Sequence, residues 1–146
     1  MRIHSAIGIA LTTALLATTG LALSAQTPAP ILKKMAPPLR GEAEIGYMMS
    51  AKRVGDKIIT TFQLKNLSSV NSVIGLQITQ YFYDKSGNPI QGTGDRQRLK
   101  TPLPPGEVAT ITLTSATVAG MTSPQHKFAH QNGEVKLKLM TAKDMK

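Results

Sequence analysis

The chain has 146 residues, with 17 Lys and Arg against 8 Asp and Glu and only six aromatic side chains, none of them Trp. It contains no cysteine, which excludes a disulfide framework, thiol catalysis and sulfur-ligated zinc. The basic residues are scattered along the sequence, whereas a dedicated nucleic-acid module gathers them on one element and interleaves aromatics for stacking.

Residues 1–25, MRIHSAIGIALTTALLATTGLALSA, join a short basic start (Arg2, His4) to an apolar run and then to small residues. That is the anatomy of a secretory signal peptide, with cleavage expected near Ala25. Thr12, Thr13, Thr18, Thr19 and Gly20 interrupt the run, and a spanning helix needs about 20 mostly apolar residues. A periplasmic or secreted chain with no stable membrane span after cleavage is therefore expected. Losing Arg2 with the leader leaves 16 basic residues against 8 acidic ones, a net charge of +8.

Residues 26–41 contain Pro28, Pro30, Pro37 and Pro38, which oppose a helix and favour extended chain, so this stretch reads as a tether. The remainder, residues 42–146, reads as one β-domain. GEAEIGYMMSAKRV (41–54) places Ile45, Tyr47 and Met49 on one face, and Gly55-Asp56 makes a turn. IITTFQLKN (58–66) sets Ile58, Phe62 and Leu64 against Ile59, Thr61, Gln63 and Lys65. After a polar break at 66–72, residues 73–84 read as one long strand with Ile74, Leu76, Ile78 and Phe82 on one face. Asp84 to Asn88 then forms a turn.

Pro89-Ile90-Gln91 restarts an extended segment, and Pro105-Gly106 suits the central positions of a type II bend. VATITLTS (108–115) alternates Ala109, Ile111 and Leu113 with threonines. In GEVKLKLM (133–140), Val135, Leu137 and Leu139 are expected inward, against Lys136 and Lys138. Residues 119–132 show no clear period, and Gly120 and Pro124 oppose a long helix. No segment of the domain has a 3.6-residue period. Short alternating strands punctuated by Gly and Pro predict an all-β fold, an antiparallel β-sandwich.

The stretch Gln80-Tyr81-Phe82-Tyr83-Asp84 resembles the signature of the FxLYD family, small immunoglobulin-like domains of exported prokaryotic proteins. Tyr83 and Asp84 match the pattern, Phe82 replaces its leucine, and Gln80 departs from its phenylalanine. The surroundings agree too. Lys65-Asn66 ends the upstream strand before a serine-rich break, and Leu103-Pro104-Pro105-Gly106-Glu107 resembles the family's Leu-Pro-Gly-Glu turn with one extra proline. The likeness covers roughly residues 56–118. It implies an immunoglobulin-like sandwich of about seven strands, with Phe82, Tyr83, Asp84, Asn66, Pro105, Gly106 and Glu107 as the fold's signature. It brings no catalytic residues.

Elsewhere the residues offer little chemistry. Ser115, Ser123 and Asp144 accompany His126 and His130 without any nucleophile elbow. Glu42 and Glu44 share a strand face but sit beside the tether, and Gly92 and Gly94 are too few for a phosphate cradle. No enzymatic activity and no cofactor are expected. One metal reading has a physical basis: His126 and His130, four apart, with Met121 nearby, combine imidazole and thioether ligands that suit copper.

Three functional readings follow. The first is a non-catalytic sandwich that contacts another envelope or secreted protein, with Tyr81, Tyr83, Lys136 and Lys138 as candidate surface residues and edge strands able to pair with a partner segment. The second is a basic binder of an anionic envelope polymer or surface, without specific nucleic-acid recognition. The third is a periplasmic copper carrier.

Overall fold

The structure, a computed structural model, describes residues 35–146. Residues 1–25, expected to be a leader, and residues 26–34 of the Pro-rich segment lie outside the described residues. Seven strands follow in order: β1 (Ala43–Val54), β2 (Lys57–Asn66), β3 (Gln77–Tyr81), β4 (Asp95–Arg98), β5 (Val108–Ala116), β6 (Gln125–Ala129) and β7 (Val135–Leu139). They form two sheets, a four-stranded one in the order β5-β2-β1-β7 and a three-stranded one in the order β4-β3-β6. The fold is an all-β sandwich. The pairings between its strands are antiparallel except between β1 and β7, where Ala43 to Tyr47 run parallel to Val135 to Leu139.

Alternation explains the core. Ala43 and Ile45 of β1, Phe62 and Leu64 of β2, Ile78 of β3 and Ile111 and Leu113 of β5 are all buried between the sheets. Each fully buried Leu, Ile or Phe contributes about 1.5–3 kcal/mol of transfer free energy. Aromatic rings bridge the layers. Phe62 meets Phe128 edge-on at 5.5 Å and His126 at 4.9 Å, and Tyr47 lies 6.1 Å from Phe128. Phe128 and His126 come from β6, so these contacts tie the three-stranded sheet to β1 and β2.

The structure changes or completes the sequence reading in three places. Residues 73–84 are not one strand: Gly75 has φ 63°, which diverts the backbone, so only Gln77–Tyr81 pair continuously. On either side, Val73 bridges Leu103 and Tyr83 bridges Pro89. The unreadable stretch 119–132 contains β6. The end of the Pro-rich segment also belongs to the folded body: Leu39 is 7 % exposed and clustered with the core, and its N–H donates to the Ser72 carbonyl at 2.8 Å.

The turns follow their residues. Gly55-Asp56 links β1 to β2, Val54 pairing with Lys57. Gly106 has φ 71° and Glu107 N–H reaches the Pro104 carbonyl at 3.2 Å, as a type II bend with Pro105 at its first central position requires. Asn66, fully buried, holds the break after β2. Its Nδ2 donates to the carbonyls of Asn71 (2.8 Å) and Leu103 (2.9 Å), while its Oδ1 accepts from Ser68 N–H (2.9 Å).

Candidate functional site

The hairpin between β6 and β7 clamps the start of β1. His130, 7 % exposed, donates from Nε2 to the Gly41 carbonyl at 2.8 Å and accepts at Nδ1 from Asn132 N–H at 3.3 Å. Asn132 Nδ2 donates to the Leu39 carbonyl at 3.1 Å, and Gly41 N–H donates to the Asn132 carbonyl. Gly133 is essential to this clamp, because a Cβ there would strike the backbone of Gly41.

Beyond the clamp, β6 continues along β3 while β7 continues along β1, so the two strands diverge. The consequence falls on β7. Val135 still touches the core, but Leu137 is 39 % exposed and Leu139 is 72 % exposed. Both keep the inward side of the strand, in register with Ile45 and Tyr47, yet β6 does not cover them. Their inward side is as expected, but along β7 burial stops after Val135.

Among the described residues the outer backbone edge of β7 is open too. Ala43 N–H donates to the Glu134 carbonyl and Met140 N–H to that of Tyr47. Parallel alternation therefore turns the even-numbered groups of β7 toward β1, and those of Val135, Leu137 and Leu139 away from it. At the opposite end of this sheet, the Asp95 carboxylate partly caps β5 by accepting Thr114 N–H at 2.7 Å.

The candidate interaction residues fall on separate sheets. Lys136 and Lys138 are exposed on the outer side of β7, Lys136 pairing with Glu44 at 3.4 Å. Tyr81 and Tyr83 belong to the other sheet's side. Tyr81 is 37 % exposed, and Tyr83 is half-buried, with its carbonyl accepting Thr122 N–H and Oγ1. Phe82 between them is buried. Tyr81 and Phe82 line a shallow cleft of about 350 Å³ with Pro89, Ile90, Gln91, Gly92 and Gly94, and no titratable side chain other than Tyr81 reaches into it. Asp84 serves the adjacent turn. Its Oδ1 accepts the N–H groups of Ser86 (2.8 Å) and Asn88 (2.9 Å), and these bonds, Asn88's first, hold its carboxyl below the usual carboxylate range.

His126, His130 and Met121 do not converge. The two histidines are four residues apart on extended backbone, about 13 Å at the usual rise. His126 donates from Nε2 to Gln80 Oε1 at 2.8 Å, and Met121 sulfur accepts Val118 N–H at 3.3 Å. Among the described residues no group of three or more His, Cys, Asp or Glu is placed to hold a metal ion.

Sequence reasoning missed a buried polar chain. Gln80 has no exposed surface; its Oε1 meets His126, and its Nε2 donates to Ser115 Oγ at 2.8 Å. It thus joins β6, β3 and β5 through the interior, and burial lowers the pKa of His126. Gln80 shares the inward side with Ile78 and Phe82, and that period-2 position was the signal available. Neither a comparison with protein-family models nor one with curated proteins returns a match for this chain. Its surfaces therefore carry the functional reading.

Proposed function

We propose that this chain is a non-catalytic exported sandwich that holds another envelope or secreted protein by strand addition at β7. The observation that carries this reading is the outer edge of β7, where backbone groups with no partner among the described residues coincide with the exposed side chains of Leu137 and Leu139. An added strand would complete the sheet and bury both leucines. Extended segments with apolar residues at alternate positions fit such an edge, main-chain bonds giving affinity and the leucines giving register. The immunoglobulin-like kinship suggested by residues 80–84 accords with a binding module, and the leader-like residues 1–25 with export.

Proline scanning combined with site-specific photo-crosslinking tests it. A photoreactive residue at position 139 should give a discrete protein adduct in living cells, and one at Val54, at the far end of β1, should not. Leu137→Pro removes an outward N–H while leaving the bonds to β1 in place, and should abolish the adduct without unfolding the domain. An adduct that survives Leu137→Pro, or that forms equally at position 54, refutes strand addition.

A further inference from the structure

The three-stranded sheet has an outer face whose charge pattern is invisible in the linear sequence. Ile78, Gln80, His126 and Phe128 point inward, so their neighbours Gln77, Thr79, Tyr81, Lys127 and Ala129 point outward. Register then places Arg96 and Lys127 on either side of Thr79, and Arg98 and Ala129 on either side of Gln77. Lys100 follows at the rim of a hollow of about 310 Å³ that it shares with Arg98, Gly75 and Gln131.

Arg98 is held in place. Its guanidinium lies over Gly75, where a Cβ would collide with it, and one Nη2 hydrogen donates to Gln131 Oε1 at 3.2 Å. The Gln131 backbone is fixed in turn by the Ile74 carbonyl at 2.9 Å. The remaining guanidinium donors have no acceptor among the described residues. Asp95 precedes Arg96 but turns to the opposite side, where it binds Thr114. Among the described residues, no carboxylate lies within ion-pairing distance of Arg96, Arg98, Lys100 or Lys127.

We infer that this face binds an acidic polysaccharide, with Arg98 and Arg96 receiving carboxylates of successive sugars and Lys127 flanking the chain. Charge complementarity selects an anion, and the planar guanidinium fork suits a carboxylate. Along β4 the two arginines are spaced by about 7 Å, and Lys127 lies two strands away, about 10 Å across. Gln77 offers its amide to hydroxyls and Tyr81 a ring against which a sugar can stack, while Thr79, 8 % exposed, forms the floor between the cations. A nucleic acid would call for several stacking aromatics, and Tyr81 is the one exposed on this face. A bilayer would call for exposed apolar anchors, but Leu137 and Leu139 belong to the other sheet.

Calorimetry at low salt with a decameric galacturonate tests the assignment, with its methyl ester and a ten-nucleotide DNA strand as comparisons. Saturable binding is expected for the acid and not for the ester. Each exposed cation contributes about three- to fivefold, so Arg96→Gln/Arg98→Gln/Lys127→Gln should weaken binding on the order of thirtyfold or more. Lys52→Gln/Arg53→Gln/Lys57→Gln removes equal charge from the β1–β2 hairpin and should leave binding within about twofold. Equal losses in both triple variants would show a response to net charge alone and overturn the inference. So would DNA binding as tight as the galacturonate, or no saturable binding. None of these outcomes bears on β7, which Leu137→Pro probes separately.

Discussion

Replacing Gln80 by leucine separates side-chain volume from polarity in the core. Leucine approximates the volume but leaves His126 Nε2–H and Ser115 Oγ, both bonded to Gln80 at 2.8 Å, without their partner. A buried group stripped of its hydrogen bond costs about 1–3 kcal/mol. Ser115 can rotate its hydroxyl toward another acceptor, whereas the imidazole is fixed against Phe62 at 4.9 Å. Together these give an expected loss of about 2–4 kcal/mol. At about 4–8 °C per kcal/mol for a domain of this size, the melting temperature should fall by roughly 10–25 °C. Urea unfolding followed by circular dichroism measures the same loss as a lower midpoint at unchanged slope. Adding Ser115→Ala should recover part of it, since removing both partners of a buried hydrogen bond costs less than removing one. A Gln80→Leu protein within about 0.5 kcal/mol of the parent would refute the argument, because that is the scatter of ordinary surface substitutions.

Gly133→Ala should destabilise by about 3 kcal/mol or prevent folding, because its Cβ meets the backbone of Gly41 and cannot be accommodated by a rotamer change. Gly46→Ala meets the flexible end of Met140 instead and should cost about 1 kcal/mol, mostly by loosening the C-terminal turn; thermal unfolding ranks the two. Asn66→Ala deletes three hydrogen bonds within the break after β2 and should cost about 2–4 kcal/mol by denaturant titration. Stability should also depend on pH through His126. Burial lowers its folded pKa below the ordinary 6.5, so the unfolded chain takes up that proton first. The contribution is complete above pH 6.5 and declines as pH falls below it, and His126→Gln should flatten this part of the profile. Asp84 acts in a lower window: its depressed carboxyl contributes stability above its ordinary 3.8 that is lost on further acidification.

The strands most legible in the sequence are those with one wet and one dry side. In β5, Ile111 and Leu113 are buried between exposed threonines, and in β2, Phe62 and Leu64 are buried as alternation requires. β4 offered no such signal, because DRQR lies at a sheet edge and buries no apolar side chain. β6 hid because only Phe128 is apolar among its inward residues, the others being His126 and, just beyond the strand, His130. Gln80, Thr60 and Ser115 were illegible for a related reason: they occupy inward positions but carry polar groups, and pattern reading assigns such residues outward. Leu137 and Leu139 show the converse failure. Alternation gave their side correctly, but only the divergence of β6 from β7 shows that β6 leaves that side exposed. The basic face escaped altogether, since Arg96, Arg98 and Lys127 become neighbours only through the β3–β4 and β3–β6 registers.

The parallel pairing of β1 with β7 has a consequence for how the chain acquires its shape. Ala43 finds Val135 only after β2 to β6 have all been synthesised. Closing so long a loop costs entropy before any contact repays it, which places the domain among slow folders of high contact order. A chain still leaving the ribosome lacks the strand that completes its larger sheet and the hairpin that clamps its first strand. Its larger sheet therefore stays incomplete, and its first strand unclamped, until β7 has emerged.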